Sequence, residues 1–239
     1  RLLILCLSLA TLGTGEVWGA CTYTFTPTTA TIKNGGSFMS SKAFPEYTTI
    51  GSFSNTYGVS KTTFKVSSKG GSRDVGNIVL QYSSDNSNWN DLCTVSPETG
   101  KSAETSSTTT LTASTIYLRV HVVDRTKYNA DRTLTINTTT FELATTLTPA
   151  VSSITIAETK IDASNSSSFD VTYSNMENQT LTVTSSNPNE FVTSNVALDC
   201  SGTKSVTITY KPTCEHHETS ATITISANGK SATVTASAS

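Results

Sequence analysis

The chain has 239 residues with a formal net charge of −2, and 36% of them are hydrophobic against only 14% charged. Average domains carry about 25% charged residues; here serine and threonine, about a third of the chain, take the place of the missing ions. Without basic clusters the chain has no electrostatic footprint for nucleic acid, and its length sets a prior of one large or two small domains.

Residues 1–20, RLLILCLSLATLGTGEVWGA, open on Arg1, run apolar from Leu2 to Leu12 and end in small residues. A basic start, an apolar run and a small-residue exit describe a secretory signal peptide. Gly and Glu16 interrupt the stretch too early for a spanning helix of roughly twenty residues, so no transmembrane span is expected after leader removal. Val17 and Gly19 satisfy the small-residue rule for cleavage before Ala20. The alternative, cleavage before a lipidated Cys21, meets Trp18 where a lipobox places Leu. A secreted or cell-surface protein is the expectation. The chain begins without Met and ends in a strand-like KSATVTASAS, which leads us to expect a fragment of a longer open reading frame, the alternative being a chain trimmed at its ends; a continuing chain would leave room for a further module.

Residues 21–146 then offer CTYTF, TTFKVSS, NIVLQYS, NDLCTVS, TTTLTA, TIYLRVHVV and TLTINTTTFEL. These short strands, separated by Gly-, Asn-, Asp- and Ser-rich turns such as SSKGGSRDVGN, read as a jelly-roll or immunoglobulin-like sandwich. DNSNWND, residues 85–91, is oxygen-rich like a calcium loop but lacks the central glycine and terminal bidentate acid. Asp and Asn also make such turns by bonding their own backbone, which is the expected reading. Trp89 either anchors this turn on the sandwich, the favoured reading, or offers a face to a sugar. In TIYLRVHVV, Ile116, Leu118, Val120 and Val122 share one face, and Tyr117, Arg119 and His121 share the other. That second stripe is either the ordinary solvent face of an antiparallel sheet or a surface for stacking and hydrogen-bonding a saccharide. Trp89, Tyr117, Arg119 and His121 are therefore the candidate ligand-binding residues.

ELATTLTPAVSS, with Pro149, breaks the alternation and reads as a linker. Residues 147–239 supply SITIAE, SSFDVTYS, QTLTVTSS, EFVT, KSVTITYKP, SATITISA and SATVTASA. Seven strands in about ninety residues is the arithmetic of an immunoglobulin-like sandwich. Its inward sets are Phe169, Val171 and Tyr173; Leu181 and Val183; Val206, Ile208 and Tyr210; Ile223 and Ile225.

CEHHE, residues 214–218, gathers candidate metal ligands in Cys214, His216 and His217, suited to zinc or copper. Structural zinc sites pair two separated clusters; with no second cluster, a solvated loop is the expected reading and no cofactor is expected. A Cys200–Cys214 disulfide is disfavoured, because the strand between them spans roughly 26 Å whereas a bridge needs Cα atoms within about 7 Å. A Cys21–Cys93 pairing stays open. No nucleophile elbow, P-loop, H-E-x-x-H or Rossmann glycine fingerprint occurs, nor do Asp91, Glu98, Glu104 and Glu142 single out a glycosidase pair.

Four stretches carry a resemblance: SSFDVTYSN, LTVTSSNPNEFVTSN, GTKSVTITYKPT and SATITISANGKSATVTASAS, which cover nearly all of residues 151–239. Residues 151–239 resemble the immunoglobulin-like domains of the abnormal-spindle/hydin class, in the version common in secreted Bacteroidales proteins. GNIVLQYSSDNSNWNDLCTV followed by TIYLRVHVV is similar to the β-sandwich module that often precedes them. The resemblance implies an extracellular, non-catalytic array, in some cases attached to a catalytic module elsewhere in the chain. It carries over no catalytic residues, and CEHHE departs from the Gly/Ser-type turn that the class places there.

The expectation is an all-β chain of two tandem β-sandwiches, the second immunoglobulin-like. It would act as a secreted or surface spacer or adhesive module binding glycans or extracellular proteins. The alternatives are a carbohydrate-binding module and accessory domains of an enzyme encoded beyond Ser239. Thr-rich edges lack lysine gatekeepers, yet the second domain is expected to be monomeric.

Overall fold

The computed structural model describes residues 17–19, 21–35, 43–70, 75–123, 131–213 and 219–239, with side chains from residue 21 onward. Among them there is no helix, and none long and apolar enough to cross a membrane. The chain divides into two compact units, Arg1–Glu142 and Leu143–Ser239. Each is a β-sandwich.

The first unit contains β1 (Val17–Gly19), β2 (Thr22–Phe25), β3 (Thr31–Lys33), β4 (Tyr47–Ser54), β5 (Val59–Lys69), β6 (Ile78–Ser83), β7 (Asn90–Val95), β8 (Ser102–Ser107), β9 (Thr115–Val122) and β10 (Thr133–Leu143). One sheet runs β1-β2-β10-β5-β8, with β3 also on β10; the other runs β4-β9-β6-β7. Strand β9 shows the period of two without interruption: Ile116, Leu118, Val120 and Val122 are buried, and Tyr117, Arg119 and His121 lie on the other face. Phe53 of β4 meets Tyr23 at 4.9 Å, Phe25 at 6.2 Å and Phe141 at 4.6 Å between ring centroids. One side chain of the second sheet thus interdigitates with three aromatics of the first. Such pairs add about 0.5–1.5 kcal/mol each beyond the area they bury.

The second unit contains β11 (Thr146–Pro149), β12 (Ser153–Ile156), β13 (Asn165–Ser174), β14 (Thr180–Ser185), β15 (Phe191–Val192), β16 (Val196–Ala197), β17 (Ser201–Tyr210), β18 (Ser220–Ala227) and β19 (Lys230–Ala238). Its sheets are β11-β13-β17-β15 and β12-β19-β18-β14-β16, immunoglobulin-like in arrangement. All ten residues assigned inward by periodicity are buried between them. The β18–β19 hairpin closes through Asn228 and Gly229, both at positive φ (44° and 73°), the Asn-Gly pairing that a type I′ turn demands. On the outer face of β13 and β17 the hydroxyls pair across strands: Ser166 with Thr209 at 2.8 Å, Ser168 with Thr207 at 2.8 Å and Thr172 with Thr203 at 3.3 Å. The same device joins β5 to β8 through Thr63–Ser106 and Ser67–Ser102.

Several sequence expectations change. The stretch read as a linker holds β11, an edge strand paired with β13 in which Pro149 stands opposite Val171. At the end of an edge strand the missing N–H costs no ladder bond. TTTLTA is not a strand; only Leu111 bridges to Val59, and the strand pairing with β5 is the preceding SAETSS. That segment has no buried residue to reveal it. Strands β3, β4, β11 and β16 add to the expected set, and residues 17–19, at the end of the expected leader, pair with β2. CEHHE, with its candidate ligands Cys214, His216 and His217, lies outside the described residues; among the described residues no cluster suited to a metal occurs. Cys93 is a buried thiol, not half of a disulfide, with its Sγ 3.8 Å from the Thr62 carbonyl oxygen.

Candidate ligand-binding platform

The outer face of the sheet β4-β9-β6-β7 collects the residues singled out by sequence. The register sets Thr49, Arg119, Gln81 and Asp91 in one row across the four strands. The adjoining row carries Tyr47 opposite His121, and on the other side Ser52 and Ser83 flank Tyr117.

Two β-bulges make this row. On β4, Thr49 faces Arg119 and Gly51 faces Leu118, so Ile50 is extra and turns into the core. On β7, Cys93 faces Leu80 and Asp91 faces Gln81, so Leu92 is extra and buried. A bulge reverses the side-chain parity of all that follows it. Tyr47 and Phe53 are an even number of residues apart and would share a face on a regular strand. The bulge lets Phe53 enter the core while Tyr47, 45% exposed, stands on the platform. Gly51 permits it, with a φ of +132° and a would-be Cβ only 3.0 Å from Phe25 Cζ.

Trp89 arrives from the β6–β7 turn. Asp85 Oδ1 accepts the backbone N–H groups of Ser87 and Asn88 at 2.8 Å each and the Ser83 hydroxyl at 2.8 Å, while Asn88 Nδ2 donates to Oδ2 at 2.7 Å. These donors, the Asn88 backbone N–H foremost, hold the Asp85 carboxyl well below the usual carboxylate range. The carboxylate is therefore committed to building the turn, as the Asp/Asn composition predicts, and the turn sets Trp89 over the sheet.

Arg119 is the centre of the platform. Its guanidinium carbon lies 4.0 Å from the centroid of Tyr47 and 4.3 Å from that of Trp89. The two rings reach it from opposite sides of β9, one from β4 and one from the turn. Its Nε donates to Gln81 Oε1 at 2.8 Å, and Gln81 Nε2 donates to Asp91 Oδ1 at 2.6 Å. Gln81 is buried at 8% exposure and so is itself fixed. Tyr47 also packs on His121, ring centroids 4.7 Å apart. The structure thus brings together Trp89, Arg119 and His121, with Tyr47 linking the last two; Tyr117 lies on the same face of β9. Sequence reasoning missed Tyr47 and Gln81. The signal for Gln81 was an amide directly following the apolar run Ile78–Leu80, and for Tyr47 an aromatic ahead of a strand glycine.

No protein-family model and no curated protein matches the chain, so the abnormal-spindle/hydin resemblance stays an expectation from strand pattern. Among solved structures, the adhesin domain of Epf from Streptococcus pyogenes aligns over 92% of this chain and 80% of that one, at 11% identity and a TM-score of 0.34. A likeness of that size carries no argument here. The case for function rests on the platform.

Proposed function

We propose that the chain is a non-catalytic interaction module of the cell exterior, in which the first sandwich presents a ligand platform and the second is scaffold. One observation carries this reading: Arg119 is held by Gln81 and covered by two aromatic rings on the solvent side of a sheet. An ordinary outer sheet face needs polarity but no buried amide fixing a guanidinium against two rings. The leader-like N-terminus supports export, and glycans or extracellular proteins are the ligands such a surface meets. Half-exposed aromatics and arginine are also the residue types that dominate binding energy at interfaces.

The test is binding of the purified chain to an array of glycans and extracellular proteins, with Tyr47→Ala and Trp89→Ala alongside. Saturable binding, weakened about tenfold or more by either substitution and indifferent to chelator, is the expected result. Absence of binding, or binding that ignores both substitutions, would remove the platform and leave a spacer.

A further inference from the structure

We infer that the platform takes a carboxylate-bearing saccharide, a uronate or another acidic sugar, with Arg119 reading the carboxylate; this rests on the platform reading above. Three features lead there. First, the guanidinium covers one face each of Tyr47 and Trp89. A neutral pyranose seeking to stack against both rings finds that space filled by a cation.

Second, the guanidinium is oriented but not neutralised. Of its five N–H donors, only Nε has a protein partner among the described residues, the Gln81 oxygen. The carboxylate in the same row, Asp91, is bonded to the far end of Gln81. Gln81 thus spends its amide N–H on Asp91 and its carbonyl on Arg119, and the four Nη donors are left in their fixed fork. That fork fits a planar carboxylate with two parallel hydrogen bonds, which a lysine cannot reproduce.

Third, the site lies on β9 and β6, the two central strands of the sheet β4-β9-β6-β7. Their backbone groups are already paired on both sides, so an extended peptide has no strand edge to join. Recognition must come from side chains alone. Beside the fork the face offers exposed hydroxyls at Thr49 and Ser52 and a 45% exposed Tyr47 ring. Hydroxyls match sugar hydroxyls, and the exposed part of the Tyr47 ring offers apolar contact to sugar C–H groups.

The experiment titrates the purified chain, by calorimetry, with a panel of uronate- and sialate-containing oligosaccharides. Each is paired with its carboxyl-reduced neutral counterpart, and sulfated oligosaccharides and an oligoglutamate peptide complete the set. The expected result is at least one carboxylated sugar binding ten or more times tighter than its neutral partner. Arg119→Lys should abolish that preference although it keeps the charge, and Gln81→Met should weaken it. Neutral sugars bound as well as acidic ones, with dependence on Trp89, would overturn the inference while the platform reading stands. Preference for the sulfated sugars or for the peptide would likewise overturn it. Binding of no probe by a folded chain would overturn the inference, while the platform reading is decided by the glycan and protein array.

Discussion

Replacing Gly51 by alanine should measurably destabilise the first sandwich. The φ of +132° at this position belongs to a region that residues with a Cβ rarely adopt, and holding one there costs about 1–3 kcal/mol. The added Cβ also sits 3.0 Å from Phe25 Cζ and 3.5 Å from Phe25 Cε2 and Thr28 Cγ2. Phe25 is 3% exposed and packs against Phe53, so its ring has little room to withdraw, and overpacking of this kind costs about 1–3 kcal/mol. The two costs share one neighbourhood and need not add; together they come to about 2–5 kcal/mol, against a typical domain stability of about 5–15 kcal/mol. Urea unfolding followed by circular dichroism measures the loss, and a thermal melt should fall by on the order of 10 °C. Gly35→Ala is the control, since no atom lies within 4 Å of its Cβ position and its φ is ordinary; it should stay within about 0.5 kcal/mol of the parent. A Gly51→Ala protein as stable as that control would refute the account of the β4 bulge, and with it the reason Tyr47 faces Arg119.

Two further outcomes are expected from the cores. Ile208 is fully buried in β17, so Ile208→Ala should cost about 2–5 kcal/mol in urea unfolding, whereas Thr207→Ser next to it on the exposed face should change stability by less than about 0.5 kcal/mol; equal effects would contradict the assigned faces. Burial pushes the Cys93 thiol from 9.0 up to about 11. Between those pH values the unfolded thiol has lost its proton and the folded one has not, so unfolding becomes easier as pH rises, by up to about 3 kcal/mol. Urea midpoints measured from pH 8 to 11 should fall more steeply for the parent than for Cys93→Ala, and parallel slopes would rule the linkage out.

The second sandwich was nearly all legible in the sequence because its strands alternate cleanly, as Val206, Ile208 and Tyr210 do between threonines. What alternation cannot show is a strand that breaks its own parity. Strand β4 passed unnoticed since Gly51 and the extra Ile50 interrupt the period of two, and Tyr47 was lost with it. Strand β8 was hidden for the opposite reason: SAETSS has a period but no apolar set to display it. Trp89, Arg119 and His121 were visible as chemistry on a turn and a strand face. Their convergence was not, because it depends on cross-strand register and on two bulges that only the folded sheet defines. Pro149 misled by a sound rule: it excludes a central strand, and β11 is at an edge.

The cross-strand hydroxyl pairs on β13 and β17, and on β5 and β8, have a consequence for where such a chain can work. Neutral dipoles at 2.8–3.3 Å attract no counter-ion atmosphere. The ion pairs Lys61–Glu142, Lys65–Glu104 and Lys204–Asp199 are solvent-facing, where such pairs contribute little to stability. Screening by dissolved salt therefore has little to act on. The exterior of these sheets should hold its shape as well in brine as in dilute rainwater.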